Sequence, residues 1–219
     1  MDVGLAAEGN EAALIEENEA AAKKDDRELL LLGSIAEPLV TPIIKKLQDA
    51  KPGERFRIYL RANLGGNVRQ LMNLIEALGR TDADVEIAIG RYAMSAAAML
   101  WLWFALEPIN EEDGGGKVIS VDPLKPAVLV YHRPRLPHRG GEYYCFVDDV
   151  VDPVLKSQMQ DAVADFDGVF NDYLAGEGFS AVHAATVNVN GATFTHHLHF
   201  LKETYESNRD CIIPLGVTL

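Results

Sequence analysis

The sequence predicts a layered α/β fold around a largely parallel sheet. Three observations carry this. Short apolar or alternating runs suited to strands recur between longer segments of helical periodicity. The turns between them are marked by glycine and polar residues. The strand-like and helix-like segments alternate along much of the chain, the pattern of parallel strands joined by helical crossovers.

The elements follow in order from Glu28. The run "ELLLLGSI" is short, apolar and closed near Gly33, as a buried strand would be. In "EPLVTPIIKKLQDA", Leu39, Ile43, Ile44 and Leu47 fall at helical spacing. "RFRIYLRA" alternates and reads as a strand. "GGNVRQLMNLIEALGR" reads as a helix, with Val68, Leu71, Met72, Ile75 and Leu78 on one face. "DVEIAIG" is a further strand, and Ser95 to Leu106 an apolar helix buried nearly all round. The acidic, glycine-rich "EPINEEDGGGKVISVDPLKP" reads as an exposed loop around a short strand, Lys117 to Val121. "AVLVYH" is a strand and "RPRLPHRGGEYYCF" a long polar loop. Val154 to Leu174 forms a long helix, and two shorter helices are predicted at Ser180–Thr186 and Thr195–Tyr205. "RDCIIPLG" closes as a strand or extended tail. No internal repeat is visible.

Composition narrows the function. Of 219 residues, 33 are acidic and 20 basic, for a net charge of −13. Such a surface repels phosphate backbones, so no nucleic-acid partner is expected. Cys145 and Cys211 are too few for a disulfide framework and read as reduced thiols. Residues 1–27 are acidic and alanine-rich, and they read as a mobile arm or a solvated helix. They carry no basic region followed by an apolar one, so no secretory signal is expected. The densest apolar run, Ala93 to Leu106, is shorter than the ~20 residues of a membrane span. A cytoplasmic protein with no membrane partner is the expectation.

Three segments carry candidate chemistry. "NLGGNV", residues 63–68, joins a strand to a helix. Its glycines let backbone N–H groups approach an oxyanion, and the helix behind adds partial positive charge. An ordinary strand-to-helix turn uses the same residues. Ser95 in "GRYAMSAAAML" stands at a second such turn. It reads either as a helix N-cap or as a nucleophile whose neighbouring amide, that of Ala96, faces a developing oxyanion. Ala96, Ala97 and Ala98 leave room for a substrate backbone. His132 ends the strand "AVLVYH", and catalytic groups gather at the carboxyl ends of parallel strands. It is either a general base or a solvent-facing strand-end histidine.

Taken in order, "LLLLGSI", "RIYLRANLGGNV", "IAIGRYAMSAAAML" and "AVLVYHRP" resemble the proteolytic subunit of Clp protease and its relatives. "NLGG" is similar to that family's Ser-Pro-Gly-Gly turn, "AMSAAA" to its Ala-Ser-small-small helix start, and "YHRP" to its His-Gln-Pro. "GRYAMS" is also similar to the Gly-Asp-Tyr-Ala-Ala-Ser turn of signal peptide peptidase A. The resemblance covers roughly residues 28–205. It implies a ClpP/crotonase-like layered fold of repeated β-β-α units over 28–219, with Val154–Leu174 as the long handle helix. It implies a serine peptidase in which Ser95 is the nucleophile and His132 its base. The amides of Gly65 and Ala96 would hold the oxyanion, and Gly66 would contact substrate. It further implies a homo-oligomeric ring, an unfolded polypeptide or peptide substrate, an AAA+ unfoldase as a possible partner, and no cofactor or metal.

The chain departs from that family's pattern. Leu64 replaces the turn proline, and Ser95 and His132 are 37 positions apart, the acidic glycine loop supplying the excess. Where the family has its third triad residue, an aspartate, this chain has "ATVNVNGATFTHHL". Asn188 or Asn190 would then accept the imidazole N–H, with Asn190 taken as the candidate. Asp148, Asp149, Asp161, Asp165 and Asp172 remain alternatives. Replacing a triad aspartate by asparagine costs about 10⁴ in turnover in another serine protease. No lysine matches the base of the signal peptide peptidases. A non-catalytic homologue, acting as a structural or regulatory subunit, is therefore the second reading, and a crotonase-type acyl-CoA enzyme the third. "HHLH", residues 196–199, reads as a solvated helix face, because His196 and His199 lack a placed third ligand. "EEDGGG" lacks the regular ligand spacing of a cation loop. "HRPRLPHRGG" is locally basic and reads as a mobile loop over the site. Trp101, Trp103 and Phe104 read as core or subunit interface.

Overall fold

The computed structural model describes residues 28–110, 115–137, 144–177, 184–189 and 192–215. They divide into two compact units between Lys125 and Pro126. The arm expected over residues 1–27 lies outside the described residues, as do the acidic stretch 111–114 and residues 138–143, which include the end of the locally basic "HRPRLPHRGG". The chain is a mixed α/β protein with parallel and antiparallel strands. Among the described residues no helix is long and apolar enough to cross a membrane.

In the first unit, β1 (Glu28–Leu30), β2 (Arg55–Leu60), β3 (Asp84–Ile89) and β5 (Val118–Ser120) form a parallel sheet in that spatial order. Alternation sets its inner face: Phe56, Ile58 and Leu60 of β2 and Val85, Ile87 and Ile89 of β3 are buried. The outer face is laced by cross-strand pairs in register, Arg57 with Glu86 and Arg55 with Asp84. Helix α1 (Glu37–Gln48) connects β1 to β2, and α2 (Val68–Leu78) connects β2 to β3. Helix α1 starts with Pro38 in its first turn and buries Val40, Ile43 and Leu47. Helix α2 is capped by Asn67, whose side chain accepts from the Gln70 N–H at 3.2 Å, and it buries Leu71, Leu74, Ile75 and Leu78. The short strand β4 (Tyr92–Met94) leads into α3 (Ala96–Leu106), which buries residues from Ala96 to Leu102 without a break, and Phe104. Its apolar surface is covered all round in its first two turns, while towards its end Trp103 and Leu106 are half-buried and Ala105 is exposed. Trp101 still finds a polar partner: its Nε1–H donates to the Val121 carbonyl at 3.3 Å.

In the second unit, β6 (Ala127–Tyr131) pairs antiparallel with β11 (Cys211–Leu215). The long helix expected at Val154–Leu174 is α4, Pro153–Gly176, capped by Asp152, which accepts from the Leu155 N–H at 2.8 Å. An aromatic cluster joins these elements to α5 (Leu198–Glu206). Phe170 stacks on Tyr205 with ring centroids 4.0 Å apart, and Tyr131 lies 5.5 Å from Phe166. The Tyr131 hydroxyl donates to the Phe166 carbonyl at 2.9 Å, which explains a fully buried phenol. Cys145 and Cys211 are free thiols. Burial pushes the Cys211 thiol up to about 12, so it packs as an inert group.

Three sequence expectations are corrected here. The helix expected at Ser180–Thr186 is not one where it is described: Ala184–Thr186 belong to β9 (Ala184–Val189), which pairs antiparallel with β10 (Ala192–His197). The β-branched residues Thr186, Val187 and Val189 favour the strand, and the next dipeptide in the sequence, Asn-Gly, is the strongest short hairpin signal. The helix expected at Thr195–Tyr205 begins only at Leu198, so His196 and His197 are strand residues and the helical-face argument for "HHLH" lapses. The expected polar loop after His132 contains a short antiparallel pair, β7 (Leu136–Pro137) with β8 (Tyr144–Cys145). It is followed by a single 3₁₀ turn, Val147–Asp149.

Candidate functional site

The first unit gathers the glycine turn and Ser95. Residues 63–67 run between two neighbouring segments and bond to both. On one side, Leu64 donates to the Gly33 carbonyl, Ile35 donates to Gly65, and Asn67 donates to Ile35, at 2.7, 2.7 and 2.9 Å. On the other, Asn63 donates to Tyr92 and Met94 donates back to Asn63, at 3.1 and 2.9 Å. The turn is thereby pressed against the residues that lead into Ser95. A methyl group at Gly65 would stand 2.5 Å from the Met94 carbonyl oxygen, 2.6 Å from Ser95 Cβ and 3.1 Å from the Ala96 nitrogen. With φ at +83°, Gly65 also has a backbone that other residues rarely adopt. Glycine is required here by contact and by conformation.

Ser95 itself has φ 52° and ψ −123°. Such a backbone is rare for any residue with a side chain and costs about 1–3 kcal/mol. It is also the sharp strand-to-helix geometry that raises a nucleophile's hydroxyl above its turn. The N-cap expectation is corrected: Ser95 occupies the cap position of α3, but its side chain makes no capping hydrogen bond. A cap needs extended backbone so that its oxygen can turn back on the first helical N–H groups, and this backbone does not allow it. Ser95 is half-buried, and Ala96, Ala97 and Ala98 behind it are fully buried.

The two amides assigned to an oxyanion differ. The Gly65 N–H donates to Asn63 Oδ1 at 2.9 Å, and the same asparagine donates through Nδ2 to the Leu31 carbonyl at 2.9 Å. Asn63 is fully buried, so both bonds are structural. The Ala96 N–H belongs to the first turn of α3, where helix donors have no partner within the helix. Of the two amides, it is the one with no hydrogen-bond partner among the described residues. Gly66, expected to touch substrate, is exposed, with φ at +145°.

His132 lies in the second unit, just after β6, and is buried. Its Nδ1 is 2.8 Å from the Arg133 carbonyl oxygen. A carbonyl only accepts, so Nδ1 carries the proton, and the neutral ring keeps its lone pair on Nε2. That is the tautomer a general base needs. Burial is the largest influence on the ring and lowers its pKa. The carbonyl bond and Asp210 oppose this, and Arg135 reinforces it. The imidazole therefore stays neutral to lower pH than usual.

The residue next to His132 is firmly held. Arg133 reaches Asp167 of α4 with two parallel bonds, Nε to Oδ1 and Nη2 to Oδ2, each 2.8 Å. The Tyr205 hydroxyl donates to the same Oδ1 at 2.8 Å. Arg135 forms a further ion pair with Asp210 at 3.0 Å and lies 4.3 Å from the Tyr144 ring centroid.

Thus Gly65, Ser95 and Ala96 are brought together in the first unit, and His132 stands in the second with its own support. Asn190 lies outside the described residues, and Asn188 is placed on β9. Asp149 accepts from the Phe146 N–H, while Asp161, Asp165 and Asp172 lie on α4. Asp210 acts on the His132 ring through its charge and Asp167 pairs with the neighbouring Arg133; the sequence reading selected neither. Asp210 carried no signal in the sequence: only the pairing of Cys211 with Tyr131, the residue before His132, brings it near the ring. No protein-family model matches the chain, and no curated protein matches it.

Proposed function

We propose that the chain is a Clp-like serine peptidase that cleaves unfolded polypeptides or peptides. The observation that carries this reading is Ser95: a half-buried serine with φ at 52°, freed from helix capping and backed by a glycine that no larger residue can replace. Strain of this kind persists where a hydroxyl must be presented, because a plain cap has no need of it. In the proposed reaction, Ser95 Oγ attacks the scissile carbonyl and gives its proton to a general base, the role that the sequence resemblance implies for His132. The carbonyl electron pair moves to oxygen, where the Ala96 N–H receives it. Collapse breaks the C–N bond, and the imidazolium returns the proton to the leaving amine. Water then repeats the sequence on the acyl-enzyme and restores Ser95. A homo-oligomeric ring and delivery by an AAA+ unfoldase belong to the same proposal.

Incubation of the purified chain with a fluorogenic casein tests this reading. Fragments are expected from the parent and not from Ser95→Ala. Equal hydrolysis by both would remove Ser95 from the reaction.

A second reading, a non-catalytic structural or regulatory subunit, is favoured by two observations. The Gly65 amide is occupied by Asn63, and His132 Nδ1 bonds to a neutral carbonyl where a triad places a carboxylate. A folded, assembled parent that cleaves nothing and does not react at Ser95 is the outcome that reading expects.

A further inference from the structure

We propose that Asp167 is a positioning residue for His132, acting through the main chain of Arg133. His132 stands between two residues that are tied to consecutive residues of α4. Before it, the Tyr131 hydroxyl donates to the Phe166 carbonyl at 2.9 Å. After it, the Arg133 guanidinium holds both oxygens of Asp167, each at 2.8 Å. Tyr205 reinforces this second tie twice. Its hydroxyl donates to Asp167 Oδ1 at 2.8 Å, and its ring lies under the guanidinium, 5.2 Å from centroid to carbon. A bidentate pair with a third donor admits little rotation of the guanidinium, which narrows the positions open to the Arg133 backbone where its carbonyl accepts the imidazole Nδ1–H.

The aspartate therefore acts without touching the ring. The carbonyl sets the tautomer and the ring plane, and the clamp sets the carbonyl. The charge of Asp167 is spent on Arg133, so this arrangement orients the base but does not place a full negative charge beside an imidazolium. The rival carboxylate, Asp210, is paired with Arg135 and reaches His132 through its field alone. A catalytic role for the oriented base rests on the peptidase reading, whereas the orientation itself does not.

The test is the tautomer of His132, read from ring nitrogen chemical shifts of the full ¹⁵N-labelled chain near pH 8, with His132→Gln to assign the signals. The Nδ1–H form is expected to dominate in the parent. In Asp167→Asn and Asp167→Ala its share is expected to fall several-fold, with a smaller fall in Tyr205→Phe and none in Asp210→Asn. Asp167→Glu, which keeps the charge, is expected to restore part of it. Should Asp167→Ala fail to fold, the isosteric Asp167→Asn and the mild Tyr205→Phe give the same reading. An unchanged tautomer in folded Asp167→Asn, a parent protonated on Nε2, or a tautomer that moves with Asp210→Asn would each overturn the clamp. Fluorophosphonate labelling of the same samples separates the two claims. A tautomer that responds to Asp167 in a chain that never labels overturns the peptidase and keeps the clamp.

Discussion

At the scale of single residues, Ser95 and Gly65 make opposite demands on stability. The strained Ser95 backbone is relieved by a residue without a side chain. Ser95→Gly is therefore expected to leave stability unchanged or raise it by up to about 1 kcal/mol, since strain of ~1–3 kcal/mol is partly offset by the entropy of glycine. The same change removes the hydroxyl and with it any labelling of the serine. Gly65→Ala is expected to destabilise by about 2 kcal/mol or more, because the methyl meets backbone that cannot retreat. Urea unfolding of both variants checks the pair, and a stabilised Gly65→Ala would refute the contact. His132 adds a pH dependence. Its folded pKa lies below the ordinary 6.5, so the unfolded chain takes up the proton first as pH falls. The stability this histidine contributes is whole above that ordinary value. It declines as pH drops from there through the folded pKa. Unfolding measured on both sides of this window should show a larger acid loss for the parent than for His132→Gln. Equal losses would mean that His132 is not buried as a neutral ring.

At the scale of elements, the site depends on segments that hold one another in register. Asn63→Ala removes one buried acceptor and one buried donor, leaving the Gly65 N–H and the Leu31 carbonyl unmatched. The expected cost is about 2–4 kcal/mol in thermal or chemical unfolding. Loss of the Asn67 or Asp152 caps is expected to cost only about 1 kcal/mol each. A cost at Asn63 no larger than at the caps would show that the turn is not held by that side chain. The elements most legible in the sequence are those whose periodicity and burial agree, as in α1, α2, β2, β3 and the long α4. The pair β9–β10 is less legible, because "SAVHAAT" is rich in helix-forming alanine and only "TVNV" and the Asn-Gly after it point to strands. Ser95, Gly65 and His132 were legible as residue types at strand ends. The Ser95 backbone was not, because a positive φ at a residue other than glycine leaves no mark in composition. The Asp167 clamp was hidden for another reason: 34 residues separate it from Arg133, and only folding of α4 brings the two together.

At the scale of the whole molecule, the exposed apolar residues just before and at the start of α4 bear on the ring that belongs to the proposal. Val151 is 94% and Val154 66% exposed. Burying such side chains contributes about 1.5–3 kcal/mol each, enough to influence assembly in a chain whose net charge of −13 opposes it. Native mass spectrometry is expected to show a ring-sized oligomer for the parent and smaller species for Val154→Asp. A monomeric parent would remove the ring from the proposal. The central claim concerns activation of one serine, and reaction with a fluorophosphonate probe tests it most directly. The parent is expected to label at Ser95, and Ser95→Ala and His132→Ala are expected not to label. A folded parent that stays unlabelled, or a His132→Ala variant that labels as fast as the parent, would contradict a serine activated by His132.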